Sequence, residues 1–352
     1  MSKHRFPYKW NIADGYPAKG IENHGKKVFG TFICGGGSSM GYKLAGYHHL
    51  GGVELDPKIA EIYKKNQHPE YLYNMDIRDF NKIANEDLPP ELFTLDLLDG
   101  SPPCSTFSTA GSREKAWGKE KQFAEGQKLQ TLDDLVFVYC DTIAKLQPKC
   151  CLLENVSGLV KGNAKTYAKA IVKKLNEIGY DVQIFLLNGA TMGVPQARQR
   201  VFFIGHRKEY KLPKLVLNFN EEPIYFGEIQ EDDNTKTLTD HQFEVWSQRI
   251  KSDTGFFDTI ERTKGKGSAF NYRYFHKERV ADTLGASRHN YITYDYPRQI
   301  NDNEIKLIGS YPMDYHCPEE KTLGFLVGMS VPPVMTAQIA YEIYKQWLSK
   351  IN

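Results

Sequence analysis

The segment Leu95-Asp96-Leu97-Leu98-Asp99-Gly100-Ser101-Pro102-Pro103-Cys104-Ser105 sets a thiol just after an apolar run, a glycine and two prolines. The prolines forbid regular ladder pairing and stiffen the backbone, so the Cys104 sulfur is held at the carboxyl end of a buried strand. In an open α/β sheet ligands bind at that edge, and a thiolate there can act as a nucleophile. A buried structural cysteine fits the same local sequence, because free cysteine is among the most buried residue types. Glu154, with Asn155 and Val156, directly follows the apolar run Cys151-Leu152-Leu153 and reaches the same edge. A partly desolvated carboxyl there can hold a proton for a ring nitrogen, whereas a helix-capping acid is the plainer reading. Gln196-Ala197-Arg198-Gln199-Arg200 precedes the strand Val201-Phe202-Phe203-Ile204-Gly205, which predicts Arg198 and Arg200 on one side of an extended segment. Two guanidinium groups so placed can bind a carbonyl oxygen, a phosphate or Glu154 itself; surface ion pairing is the alternative.

The elements that must position these groups follow from hydrophobic period. Residues 28–33 read as a strand that runs into Cys34-Gly35-Gly36-Gly37-Ser38-Ser39-Met40-Gly41, followed by a helical pattern from Tyr42 to Ala45, a strand at 50–55 and a helix at 57–66. This is a βαβ opening whose glycines let backbone approach a ligand closely. Glu54, at the end of the second strand, is placed to accept hydrogen bonds from a ribose diol, and Asp76 from an adenine amino group; solvated surface acids are the alternative for each. A strand at 92–98, a helix at 131–146 capped by Thr131, a strand at 150–153, a helix at 164–178 and strands at 181–187 and 201–205 continue the alternation. Alternation of this kind predicts a mostly parallel sheet.

The whole sequence has 352 residues, 41% hydrophobic and 25% charged, enough for a large domain and a smaller one, and this excludes disordered and fibrous classes. A formal charge of +2 neither demands nor forbids a polyanionic partner. Six cysteines without paired metal spacing fit reduced thiols in a cytoplasmic setting, and no metal site is expected. The first residues lack the apolar core of a signal peptide, and no run reaches the roughly 18 apolar residues of a membrane span. The polar stretch 105–128 is long enough to be a lid. After Arg207 the alternation breaks, which predicts a second, smaller domain. Within it Arg262, Lys264, Lys266, Arg273, Lys277 and Arg279 are interleaved with Phe270, Tyr272, Tyr274 and Phe275, a nucleic-acid composition, although a solvated hairpin has the same look. A helix at about 333–349 is expected to pack back on the first domain.

Taken in order, Phe32-x-x-x-Gly36-Gly37-x-x-x-Gly41 with Ala45-Gly46, Glu54, Asp76, Ser101-Pro102-Pro103-Cys104, Glu154-Asn155-Val156 and Gln196-x-Arg198-x-Arg200 resemble the DNA cytosine-5 methyltransferases. Arg298 through Glu304 to Tyr311-Pro312 resembles that family's ninth motif, and Gly328-Met329-Ser330-Val331-Pro332-Pro333 its tenth. The resemblance implies a Rossmann-like α/β catalytic and cofactor-binding domain at 1–207, with an N-terminal extension at 1–26. It further implies a target-recognition domain at 208–285 and a C-terminal segment at 286–352. S-adenosyl-L-methionine would lie on Phe32, Gly36, Gly37, Glu54, Asp76, Ile77, Pro103 and Ser330. Cys104 would be the nucleophile, Glu154 would serve ring nitrogen 3, and Arg198 and Arg200 would position a cytosine flipped out of duplex DNA. Arg113 and Lys115 of the lid, with Lys264, Lys266, Arg273 and Lys277, would touch the DNA. A separately encoded restriction endonuclease is the expected partner, and the chain is expected to act as a monomer. The sequence departs from the pattern at Cys34, where glycine is usual, at Ser105 for a common Gln, at Leu307 for a frequent Arg and at Met329 for a common Asn. Cys34 would crowd the methionine end of the cofactor, and Ser105 is too short to fill the place of a flipped base.

Three other readings compete. RNA methylation on the same scaffold is disfavoured by a long recognition segment with its own basic cluster. A non-catalytic DNA-binding relative is disfavoured by the presence of Cys104, Glu154 and both arginines. A nicotinamide dehydrogenase, suggested by the glycine loop alone, leaves Pro-Cys and Glu-Asn-Val unexplained.

Overall fold

The computed structural model describes residues 4–103, 120–121, 130–131, 135–232, 236–286 and 290–351, which divide into two units. The larger comprises residues 16–188, 199–218 and 336–352, and the smaller 1–15, 189–198 and 219–335. Set against the contiguous division expected from the sequence, residues 1–15, 189–198 and 286–335 group with the smaller unit and 208–218 with the larger.

The larger unit is an α/β fold. Its strands are β1 (Lys27–Thr31), β2 (His48–Glu54), β3 (Tyr71–Asn74), β4 (Leu97–Gly100), β5 (Cys150–Val156), β6 (Tyr180–Asn188) and β7 (Gln199–Arg207), arranged in the order β3-β2-β1-β4-β5-β7-β6. β7 runs antiparallel to both β5 and β6, and the other described pairings are parallel, so the mostly parallel sheet expected is present. The central strands β1, β4 and β5 are buried along almost their whole length, as a parallel sheet with both faces covered requires. The helices α1 (Gly37–Leu44), α2 (Pro57–Gln67), α3 (Ile77–Lys82), α4 (Leu135–Leu146) and α5 (Lys165–Glu177) join them. Their starts have local causes. Asp56 accepts hydrogen bonds from the Lys58 and Ile59 amides with Pro57 at the first helical position, and Asp76 accepts from the Arg78 amide.

Three expected elements are corrected. The strand at 92–98 starts only at Leu97, because Pro89 and Pro90 set a single 3-10 turn over Pro90–Phe93. Thr131 is not a helix cap: it pairs with Glu120 in a two-residue ladder, and the helix begins at Leu135. The helix after the glycine loop is longer than Tyr42 to Ala45, since burial of Met40, Tyr42 and Leu44 outweighs the poor propensity of glycine and serine.

A core on one face of the sheet packs Phe29, Leu98, Leu153 and Phe203 against Phe80 of α3, Tyr139 of α4 and Ile171 of α5. The tail of the chain is also buried in this unit. Trp347 is fully buried and donates its indole N–H to the Pro213 carbonyl at 2.8 Å, and the Tyr47 hydroxyl donates to the Ala340 carbonyl at 2.8 Å. A helical stretch at 320–350 is apolar enough by composition to cross a membrane, but 89% of its apolar window is buried within the chain, the mark of a core helix.

The smaller unit has its own core of Val245, Phe256, Ile260, Tyr274 and Ile292, built on α6 (Asp240–Ser247), α7 (Phe256–Lys264), β8 (Arg273–Phe275) and β9 (Tyr291–Thr293). α8 (Asp302–Ile308) starts at a capping box between Asn301 and Glu304, and α9 (Glu320–Met329) and α10 (Pro333–Gln346) follow.

Gly51 in β2 sits at φ +133°, where the β1–β2 register shifts, and a Cβ there would lie 1.9 Å from the Tyr71 carbonyl of β3. Gly51→Ala is therefore expected to lose about 2–3 kcal/mol of stability in urea unfolding, while an exposed control such as Gly265→Ala, at φ +73° with no atom within 4 Å, loses less.

Candidate active site

The glycine loop carries unusual backbone. Phe32 has φ +57°, Cys34 φ +46° and Gly36 φ +84°, so two of the three left-handed residues bear a side chain. Glu54 braces this strain: its carboxylate accepts from the Cys34 amide and from the Asp56 amide, each at 2.9 Å. Burial pushes Glu54 up to about 6, against the opposing pull of those amides. Gly36 is the N-cap of α1 and offers no side-chain cap, so the first amides of the helix lack that partner. Asp76 caps α3 and pairs with Arg78 at 3.2 Å, and Ile77 is buried beside it. Phe32 packs against the core.

Two strands away, the Glu-Asn-Val segment lies inside β5 rather than after it. Glu154 is paired with Arg200 of β7, Oε1 to Nε 3.0 Å, with both side chains largely buried. Burial lowers the Arg200 pKa from its ordinary value, and the Glu154 carboxylate opposes that shift. Asn155, to which the sequence reading gave no task of its own, donates its amide to the Pro102 carbonyl at 3.2 Å. β5 is thereby tied to the chain two residues before Cys104. Cys104, Arg113 and Lys115 lie outside the described residues. Pro103 is half-buried.

Asp99 was also passed over by the sequence reading. It is 4% exposed in β4, accepts from the Tyr42 hydroxyl at 3.1 Å and is hydrogen-bonded by Ser38. Burial first, and then the Glu154 carboxylate, push it up to about 7. The signal was present in sequence as an acid inside an apolar parallel strand, where a charge must be answered by specific partners.

The two arginines of Gln-x-Arg-x-Arg have different partners. Arg198, in the smaller unit, is fully buried and donates to the Leu284 carbonyl at 3.1 Å and the Gly328 carbonyl at 3.0 Å, with Gln196 beside it at 3.5 Å. Gln196 in turn donates to the Ile308 carbonyl at 3.1 Å and accepts from the Leu284 amide at 3.1 Å. Ser330 accepts from the Tyr311 hydroxyl at 2.7 Å. Of the expected DNA contacts, Lys264 faces Glu244 at 3.7 Å, Arg273 lies 5.2 Å from the centre of the exposed Phe270 ring, and Lys266 and Lys277 are exposed. Arg262 is held by Asp253 at 2.7 Å. Among the described residues no group of three or more His, Cys, Asp or Glu is placed to hold a metal ion.

Residues 27–345 match the family described as C-5 cytosine-specific DNA methylase. The chain belongs to that family. It is 34% identical over 190 residues to the type II methyltransferase M.FnuDI of Fusobacterium nucleatum, a stretch covering 53% of this chain and 48% of that relative. It is 33% identical over 190 residues to M.NgoPII of Neisseria gonorrhoeae, covering 49% of it, so the chain spans about half the length of these curated relatives. With M1.HphI of Haemophilus parahaemolyticus it is 25% identical over 338 residues, 89% of this chain and 85% of that one. Among solved structures, a chain encoded within an E. coli prophage has a TM-score of 0.66 at 19% identity, covering 91% of this chain and 99% of that one. A DNMT2 mutant from Spodoptera frugiperda has a TM-score of 0.63 at 16% identity, covering 91% and 99%. At these identities the two structures show a shared fold.

Two expectations follow for this site. Arg200→Met leaves the buried Glu154 carboxylate without its partner and is expected to cost about 3–5 kcal/mol, whereas Glu154→Leu with Arg200→Met recovers most of it, as equilibrium unfolding will show. Asp99 has a folded pKa of about 7 against an ordinary 3.8, so the folded chain binds this proton more tightly than the unfolded chain. Its contribution to stability is full below about pH 4 and lost as the pH rises to about 7. Between pH 5 and 7 the wild type should therefore lose stability relative to Asp99→Asn, by up to about 1.4 kcal/mol per pH unit.

Proposed function

We propose that the chain transfers a methyl group from S-adenosyl-L-methionine to carbon 5 of cytosine in a specific duplex DNA sequence, through a covalent bond between Cys104 and a flipped-out base. The observation that carries this reading is the Glu154–Arg200 pair on strands at the edge that leads to Pro-Pro-Cys, tied to that segment by the Asn155–Pro102 hydrogen bond.

The residues present fit the cofactor. The uncapped start of α1 offers amides to its carboxylate, buried Glu54 offers carboxylate oxygens to its ribose, and Phe32, Asp76 and Ile77 line up along the same strand ends for its base. Pro103 and Ser330 complete the set that would hold it. Bound there, the cofactor supplies an electrophilic methyl group.

Carbon 5 of cytosine is a poor nucleophile, and the residues of this chain change that. The Cys104 thiolate adds to carbon 6, forming a carbon–sulfur bond while the ring electrons move towards carbon 5 and nitrogen 3. Glu154 holds a proton at nitrogen 3, which takes up the developing charge, and Arg200 fixes the carboxyl in place. Once carbon 5 carries the methyl group, a base removes its proton, the carbon 5–carbon 6 double bond reforms and the thiolate leaves. Arg198 acts through the Gly328 carbonyl and thus on the segment bearing Ser330. The target atoms are enclosed in a duplex, so the base must be extruded, with Arg113 and Lys115 closing over the DNA and Lys264, Lys266, Arg273 and Lys277 gripping it. A cytoplasmic monomer, paired with a separately encoded restriction endonuclease as the type II relatives' names suggest, fits this activity.

Base-resolution sequencing of 5-methylcytosine in DNA from a methylation-free bacterial host expressing the chain tests the reading. Methylation confined to one short motif is expected, and Cys104→Ser should abolish it while leaving S-adenosylmethionine binding intact. A fully active Cys104→Ser variant, or an unmethylated genome despite soluble protein, would overturn it.

A further inference from the structure

Resting on the cofactor assignment above, the geometry points to Asp99 as a positioning residue whose carboxylate clamps the glycine-loop helix and thereby sets how tightly the cofactor is held. Asp99 belongs to β4, five residues before Cys104, and its partners Ser38 and Tyr42 belong to α1, the helix that starts in the glycine loop. Ser38 is the second residue of that helix, next to the amides that would meet the cofactor. The strand end itself is fixed: the Thr31 hydroxyl donates to the Asp99 carbonyl at 3.1 Å, and the Tyr139 hydroxyl donates to the Leu98 and Leu152 carbonyls, each at 2.8 Å. The Asp99 carboxyl therefore links this fixed strand end to α1.

Both hydroxyls act as donors, so they favour the ionised carboxylate, while burial and Glu154 favour the neutral acid. The titratable groups facing Asp99 are Tyr42 of α1, Tyr63 of α2, Tyr139 of α4 and Glu154 of β5. Burial pushes all three tyrosines up, so they stay neutral. Glu154 has Arg200 as its own counter-charge. Burial outweighs the two donors, so Asp99 changes state near neutrality: the carboxylate accepts from both hydroxyls, and protonation turns one acceptor into a donor and loosens the clamp. The clamp acts on the loop, not on the charge of the sulfonium, so it must affect S-adenosylmethionine and S-adenosylhomocysteine alike.

Calorimetric titration of the full chain with each ligand at pH 6, 7 and 8 is the test. Wild type is expected to bind both about fivefold or more tightly at pH 8 than at pH 6. Asp99→Asn should bind like the wild type at low pH and lose this dependence, keeping only whatever Glu54 contributes to both proteins. Tyr42→Phe, which removes a donor to the carboxylate, should move the midpoint to higher pH and keeps the test decisive where the Asn variant fails to fold. Identical pH dependence in wild type and Asp99→Asn overturns the clamp, as does a dependence seen with S-adenosylmethionine alone. A wild type that binds neither ligand at any pH overturns the cofactor assignment and this inference together, whereas tight binding that is flat with pH overturns this inference only.

Discussion

Among the described residues, three carboxylates, Glu54, Asp99 and Glu154, are buried towards the carboxyl ends of parallel strands in one sheet, and each must be answered without water. An uncompensated carboxylate in such a place costs several kcal/mol, so the neighbourhood of each is constrained before any chemistry is asked of it. Glu54 at the end of β2 is answered by two backbone amides, Asp99 in β4 by two hydroxyls, and Glu154 in β5 by a guanidinium. Each answer reaches out to a different part of the site. Of the amides, one belongs to the glycine loop and one to the start of α2; the hydroxyls belong to the helix after the loop, and the guanidinium to the antiparallel strand β7. What would hold a cofactor and what would hold a base are thus tied to the same sheet by the need to satisfy three acids.

The loop shows how that need offsets strain. Cys34 occupies a left-handed conformation that glycine adopts freely and a side chain adopts at a cost of about 1–3 kcal/mol. This gives a physical reason for glycine being usual at that point of the family pattern. Here the amide of Cys34 is pinned by Glu54, which holds the conformation despite the side chain. The other described departures are of a milder kind. Leu307 is buried, and Met329 is exposed at the end of α9.

Much of this was legible in the residues. Strand and helix order came from hydrophobic period, and the pairing of Glu154 with Arg200 was among the readings open to the Gln-x-Arg-x-Arg segment. The role of Asp99 was hidden because, although an acid in a largely apolar run is visible, nothing in one dimension says that Tyr42 and Ser38 lie beside it. Asn155 was hidden for the same reason, since its partner is a backbone carbonyl 53 positions away. The false strand at 92–96 arose from weighing apolar side chains over Pro89 and Pro90, and the false Thr131 cap from taking a hydroxyl as sufficient at a residue that pairs with Glu120.

The two arginines teach the sharpest lesson about reading spacing as geometry. Residues two apart share a face only while the chain stays extended, and here it does not. The Arg198 amide donates to the Gln196 carbonyl at 2.9 Å and the Arg198 carbonyl accepts from Gly189 at 3.0 Å, which closes a turn, and β7 begins only at Gln199. Arg198 and Arg200 consequently belong to different units, one holding the carbonyls of Leu284 and Gly328 and the other holding Glu154. A planar fork of donors suits the first task because it meets two carbonyls and a side-chain oxygen at fixed angles, which a lysine ammonium on a flexible stem does not. The second task needs a charge that persists when buried, and guanidinium keeps its proton where an ammonium would surrender it. One short motif therefore uses the same residue type twice for two separate physical reasons.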